Sequence, residues 1–131
     1  MDCRQQLRRA ARDGVLIVQA TKHALQRIVE RQPKLAERKM EEILDVFRNV
    51  VKQGKFKADA TRVLVWTKNY VLLCTFNLEG KLVVKTVITR AALQEKMEKT
   101  LSHGIAVQWK HVTVEPVEGS RGVGGAAPAA E

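Results

Sequence analysis

The sequence predicts an α+β domain: two helices packed on one face of a three- to four-stranded antiparallel sheet, with an extra basic helix before it and a helix and strand after it. Three observations carry that expectation. Apolar residues recur at helical spacing in two consecutive stretches between Lys22 and Gln53, and three β-rich runs follow between Thr61 and Thr89 with connectors short enough for an antiparallel meander. The chain of 131 residues, 45% of them hydrophobic, can bury one modest core.

Asp2–Asp13 sets Arg4, Arg8 and Arg12 four residues apart with Arg9 beside them, and Gly14 follows as a stop, so the segment reads as a short basic helix. Leu7, Ala10 and Ala11 give it only a thin apolar stripe, which predicts weak docking or an anionic partner. Val15–Gln19 is a brief β-branched strand. Thr21 is a good N-cap for a helix over Lys22–Gln32, whose Leu25, Ile28 and Val29 share a face, and Pro33 ends that helix or starts the next. Lys34–Gln53 carries Ala36, Met40, Ile43, Leu44, Phe47 and Val50 mostly three and four residues apart, the strongest helical pattern in the chain, and Gly54 closes it. Thr61–Thr67, Tyr70–Phe76 and Lys81–Thr89 are strands, with turns at Lys68-Asn69 and at Asn77-Leu78-Glu79-Gly80. Ala91–Leu101 reads as helix, Ile105–Val114 as a further strand, and the Gly/Ala-rich end as a flexible tail. The expected organisation is a basic helix over 1–14, one α+β domain over 15–116 and a tail over 117–131. The sheet face turned away from the two helices is expected to be free for binding.

Lys and Arg number 23 against 14 Asp and Glu, and residues 1–111 hold 22 of the cations and 11 of the acids, which leaves that part near +11 and the tail near −2. Clustered cations favour a nucleic-acid partner, because neutralised phosphates release condensed counterions. A membrane is not expected: no apolar stretch approaches the ~20 residues of a span, and the N-terminal helix has too few large apolar residues to anchor at an interface. Cys3 and Cys74 are too few for a secreted disulfide framework, so a reducing cytoplasm is expected. His23, His103 and His111 are scattered and no Gly-rich loop follows a strand, so neither metal nor cofactor is expected.

The sharpest constellation is Thr21-Lys22-His23-Ala24-Leu25-Gln26-Arg27-Ile28-Val29-Glu30-Arg31, in which His23, Arg27 and Arg31 stand on one helical face. His23 falls in the first turn, where the helix dipole disfavours its protonated form and backbone N–H groups accept an anion. A neutral imidazole beside guanidinium groups suits proton abstraction next to a phosphate. A plain helix-start histidine beside a solvated cationic face gives the same pattern. A second set lies on the strands: Arg62, Trp66, Lys68 and Tyr70, then Lys85, Thr86, Thr89 and Arg90. An exposed Trp66 among these cations would stack a base and hold its phosphate, although a tryptophan there serves a core equally well. Thr86 and Thr89 have opposite strand parity, so only one is expected to face a cleft.

The order of elements, with Thr21-x-His23-Ala24-Leu25-x-Arg27-x-x-x-Arg31 opening the first helix and Val83-Val84-Lys85-Thr86-Val87-Ile88-Thr89 closing the meander, resembles small RelE-like ribonuclease toxins of the barnase/EndoU/colicin/RelE-like superfamily. The similarity spans Val15 to Arg90. It implies a metal-independent endoribonuclease of toxin, phage or mobile-element type that cleaves RNA through attack of a 2′-hydroxyl on the adjacent phosphorus. The implied catalytic set is His23 as general base or acid, Arg27 and Arg31 on the phosphate, and Thr86 or Thr89 on phosphate or ribose; Lys68 and Lys85 are expected as supporting cations without a firm counterpart in the family. RNA is then the expected nucleic acid, and an antitoxin, immunity or host protein the expected protein partner. The alternative is a non-catalytic basic module, such as a phage-encoded inhibitor of an acidic host protein, that binds through Arg4, Arg8, Arg9 and Arg12 together with the sheet face.

Overall fold

The computed structural model describes residues 2–93, 98–99, 101 and 103–117. In chain order it contains helix α1 (Cys3–Asp13), strand β1 (Val15–Ala20), helix α2 (Lys22–Arg31), a 3-10 turn (Pro33–Glu37), helix α3 (Met40–Gln53), strands β2 (Lys55–Ala58), β3 (Val63–Trp66), β4 (Tyr70–Phe76) and β5 (Leu82–Thr89), a second 3-10 turn (Arg90–Ala92), and strands β6 (Ile105–Ala106) and β7 (His111–Pro116).

The expected three- to four-stranded antiparallel sheet under two helices is corrected by this arrangement. Among the described residues, helices α1, α2 and α3 accompany a seven-stranded mixed sheet in the order β6-β2-β3-β4-β5-β1-β7. The expected meander is its antiparallel centre, β3-β4-β5, and β2 and β6 extend it antiparallel on one side. On the other side β1 lies between β5 and β7 and runs parallel to both. Its run Val15-Leu16-Ile17-Val18 is apolar on both faces, as an interior parallel strand requires. The short Lys55–Ala58 strand escaped the sequence reading because it alternates over only four residues.

The expected Ile105–Val114 strand divides in two, and its halves sit at opposite edges of the sheet. Ala106 and His111 are five residues apart, a reach of at most ~18 Å, whereas six strand spacings of a flat sheet would separate those edges by ~28 Å. The sheet therefore curls until its edges approach. Trp109, in the connecting segment, packs edge-on against Phe56 of β2 with ring centroids 5.5 Å apart.

The concave side holds the main core. Val63 and Val65, Leu72 and Cys74, Leu82 and Val84, and Leu16 and Val18 alternate onto it, and α3 inserts Ile43, Leu44, Phe47, Val50 and Val51. α3 spans the curl, with contacts to both β3 and β7. The expected helix over Lys34–Gln53 is interrupted. Arg38 and Lys39 are extended, at ψ 158° and 154°, and Ala36 and Met40 are exposed. Buried Leu35 anchors a separate turn, and the polar Glu37-Arg38-Lys39 step has no apolar side chain to hold a continuous helix against the sheet.

α2 lies along β5. Thr21, its N-cap, accepts a hydrogen bond from the Ala24 amide at 3.1 Å and donates its hydroxyl to the Val84 carbonyl at 2.9 Å. At the other end Tyr70 Oη donates to Gln32 Oε1 at 2.6 Å.

α1 closes the end of the sheet where β1 begins and β2 and β4 end: Cys3 and Leu7 join the main core, the Cys3 amide bonds the Ala60 carbonyl at 3.0 Å, and Cys3 Sγ lies 3.8 Å from Thr75 Oγ1. Gly14 ends α1 in the left-handed region at φ 73°, its N–H bonded to the Ala10 carbonyl. The convex face is not free, contrary to expectation: Trp66 and Val71 pack there with Leu101, Leu64, Leu73 and Leu93 in a second small core. Of the expected helix Ala91–Leu101, the described part comprises the Arg90–Ala92 turn and helical residues 98–99 and 101; the expected tail lies outside the described residues apart from Val117.

Candidate functional site

The start of α2 gathers the sharpest chemistry. The Thr21 hydroxyl lies within 3.3 Å of the Lys85 carbonyl as well as its Val84 partner, so the N-cap is tied to the β5 backbone. There β5 carries an extra residue: Leu73 pairs with Thr86 and Cys74 with Val84, which leaves Lys85 as the bulge. The result is a helix start with free first-turn N–H groups at Lys22 and His23, flanked by the exposed bulge residue Lys85.

His23 is exposed on this open surface. Arg27 Nε points at His23 Nε2 across 3.5 Å, and Arg27 Nη1 meets Glu30 Oε1 at 3.2 Å. The imidazole nitrogen is the acceptor, a geometry that orients the ring. Lys22 and Lys85 have no ion-pair partner among the described residues.

The remaining residues of the expected catalytic set are not brought to this point. Arg31 stands two helical turns beyond His23, exposed near the far end of α2. Thr89 pairs with Tyr70, whose hydroxyl reaches Gln32 at that same far end. Thr86 pairs with convex-facing Leu73 and lies on the opposite face of β5 from α2. The structure does not bring it beside His23: the bulge at Lys85 resets strand parity, a feature that residue alternation alone does not reveal.

The expected nucleic-acid-binding residues also divide. Trp66 is 5% exposed and its ring packs onto the Gly104 backbone, so it is a wall of the second core, with no free face for a base. Arg62 pairs with Asp59 at 3.5 Å, and Arg4 with Asp2 at 2.8 Å. Arg12 is 3.9 Å from Asp13. Arg8 and Arg9 have no carboxylate partner among the described residues, and they lie on α1, outside the α2 constellation.

Eight ion pairs, each with its own carboxylate, join described residues. They neutralise much of the acidic complement, while cations such as Lys22, Arg31, Lys34, Lys39 and Lys85 on and around α2 keep their full charge toward solvent. The hydrogen bonds and charge of Arg4 hold the Asp2 carboxyl below its usual range, and the Thr61 amide, with Arg62 in support, does the same for Asp59. Burial pushes the Cys74 thiol far up and leaves it inert. No group of three or more His, Cys, Asp or Glu among the described residues could hold a metal ion, and none of their helices is long and apolar enough to cross a membrane.

Comparison with family models, with curated proteins and with solved structures finds no match to this chain.

Proposed function

We propose that this protein binds RNA and cleaves it without a metal ion, seating a phosphodiester at the start of α2. The observation that carries this reading is the meeting of an oriented His23–Arg27 pair with a free helix N-terminus and the bulged Lys85. Backbone N–H groups of the first turn and the Lys22 and Lys85 ammonium groups would hold the phosphate oxygens. Arg27 would stabilise the charge that develops on them. With Arg27 drawn from the imidazole onto the phosphate, His23 Nε2 would have its one lone pair free to accept the proton of a 2′-hydroxyl, whose oxygen attacks the adjacent phosphorus. The bond to the 5′-oxygen breaks, that oxygen takes a proton from solvent, and the products end in a 2′,3′-cyclic phosphate and a 5′-hydroxyl. The two buried, unpaired cysteines suit a reducing cytoplasm.

A second reading, RNA binding without cleavage, is favoured by the openness of the site: no second titrating side chain forms a hydrogen bond with His23 among the described residues. One experiment separates the two. Purified protein is incubated with mixed RNA in EDTA beside the His23→Ala variant, whose exposed position spares the fold. Cleavage to cyclic-phosphate ends, reduced at least ~100-fold by the substitution, is the expected outcome for a positioned general base. Equal cleavage by both proteins would overturn the role of His23. Salt-sensitive binding by both with cleavage by neither would establish the binding-only reading.

A further inference from the structure

At the C-terminal end of α3, remote from His23, two hollows merge. The larger, about 420 Å³, is lined by Gln53, Lys55, Trp66, Thr67, Lys68 and Arg90. The smaller, about 210 Å³, shares Gln53, Thr67 and Lys68 with it and continues to Asn49, Asn69 and Tyr70 over the apolar edges of Val46 and Val50. Neither has a carboxylate among its described lining residues. The groove along α1, by contrast, sets Asp13 and Glu79 against Arg9, and the hollow beside the β2–β3 turn includes Asp59.

Some of the polar groups of this cleft are committed and others are open. Lys55 and Lys68 have no ion-pair partner among the described residues. Arg90 is fixed as a wall, with Nη1 on the Thr67 carbonyl at 3.1 Å and Nη2 on Glu98 at 2.8 Å. Thr67 Oγ1 already accepts the amides of Asn69 and Tyr70, at 3.3 and 3.4 Å, which leaves its proton to donate outward. The side-chain amides of Asn49, Gln53 and Asn69 form no hydrogen bond with other described residues. A cationic end with a hydroxyl donor thus adjoins an end bearing three free amides, a phenol ring and two valines. That combination matches a phosphate joined to a heteroaromatic base, since amides pair with base edges and apolar side chains cover base faces.

We propose that this cleft is a nucleotide-binding site, with the phosphate between Lys55, Lys68 and Thr67 and the base against Asn49, Asn69 and Tyr70. The nucleotide is either free or one unit of an RNA strand. The site stands independently of the α2 reading.

The test is calorimetric titration of the full chain with each of the four nucleoside 5′-monophosphates, with inorganic phosphate and with the parent nucleosides. At least one monophosphate is expected to bind ~10-fold or more tightly than both its nucleoside and phosphate, a margin of about 1.4 kcal/mol. The double substitution Lys55→Glu/Lys68→Glu should weaken it at least ~10-fold, and Asn49→Ala/Asn69→Ala should erase the advantage over phosphate. These four positions are exposed, and far-UV circular dichroism verifies the fold of each variant. A nucleoside monophosphate has no phosphodiester to cleave, so binding is read without any cleavage, and failure of the cleavage reading and failure of this one are told apart. A hexanucleotide without terminal phosphates that binds tighter than the monophosphate identifies the ligand as a strand; one that binds no tighter identifies a free nucleotide. Absence of binding up to about 5 mM, or binding indifferent to the lysine substitutions, overturns the site. Phosphate binding as tight as any nucleotide overturns the base-binding half.

Discussion

Asp59 illustrates how much of the surface charge is already committed to holding turns. Its carboxylate accepts the Thr61 and Arg62 amides at 2.9 and 2.8 Å and fixes the reversal between β2 and β3. These bonds lower its proton affinity below the ordinary value of 3.8, and Asp2 is lowered likewise by Arg4 and the α1 N-terminus. A carboxyl depressed in the folded state adds stability that is complete above the ordinary value and is lost as pH falls through the folded one. Urea midpoints measured from pH ~5 down to ~3 should therefore fall, and the Asp2→Asn/Asp59→Asn variant should fall less steeply over the same interval. An unchanged slope would show that other carboxylates carry the acid sensitivity. At this scale the candidate site was partly legible. His23 and Arg27 share a helical face in any register, so spacing alone paired them. The roles of Thr86 and Trp66 depended on a bulge and on the depth of a small core, which are properties of neighbours distant in sequence.

α1 separates what periodicity discloses from what packing decides. Its boundaries were legible, from the Asp2 cap to the left-handed Gly14, because both are local chemistry. Its attachment was not. The thin stripe suggested weak docking, yet Cys3 and Leu7 are 3% and 5% exposed, the Cys3 amide bonds the Ala60 carbonyl at 3.0 Å, and Gln6 Nε2 donates to the Asn77 carbonyl at 3.2 Å. Two well-placed apolar side chains suffice because both join the main core. Leu7→Ala should then cost about 2–3 kcal/mol in chemical denaturation, the range of a buried leucine in a site that closes in part. A cost under ~0.5 kcal/mol would mean that α1 is a surface arm. α3 teaches the converse: its apolar pattern was unmistakable, but the break at Arg38-Lys39 lay in polar residues where hydrophobic spacing is silent.

The curled sheet brings these pieces into one charged body. Its topology was the least legible feature, because parallel pairing of β1 with β5 and β7 joins segments more than sixty residues apart, and strand alternation does not encode a partner. Net charge, in contrast, was legible at once, and the fold determines where it acts. Lys22, Arg27 and Lys85 gather at the start of α2, and Lys55, Lys68 and Arg90 line the cleft beyond α3. Each phosphate neutralised on a single strand contributes a slope of ~0.7 to the logarithmic salt dependence of binding. RNA binding measured by anisotropy between ~50 and ~300 mM salt should show a slope of roughly −2 if one cationic group is engaged and roughly −4 if a strand spans both. Lys55→Glu/Lys68→Glu should flatten the steeper slope by about 1.4, whereas it should leave the shallower one at roughly −2. A wild-type slope shallower than about −1 would sever the link between this charge surplus and RNA, and would direct attention to an acidic protein surface as the partner of the same side chains.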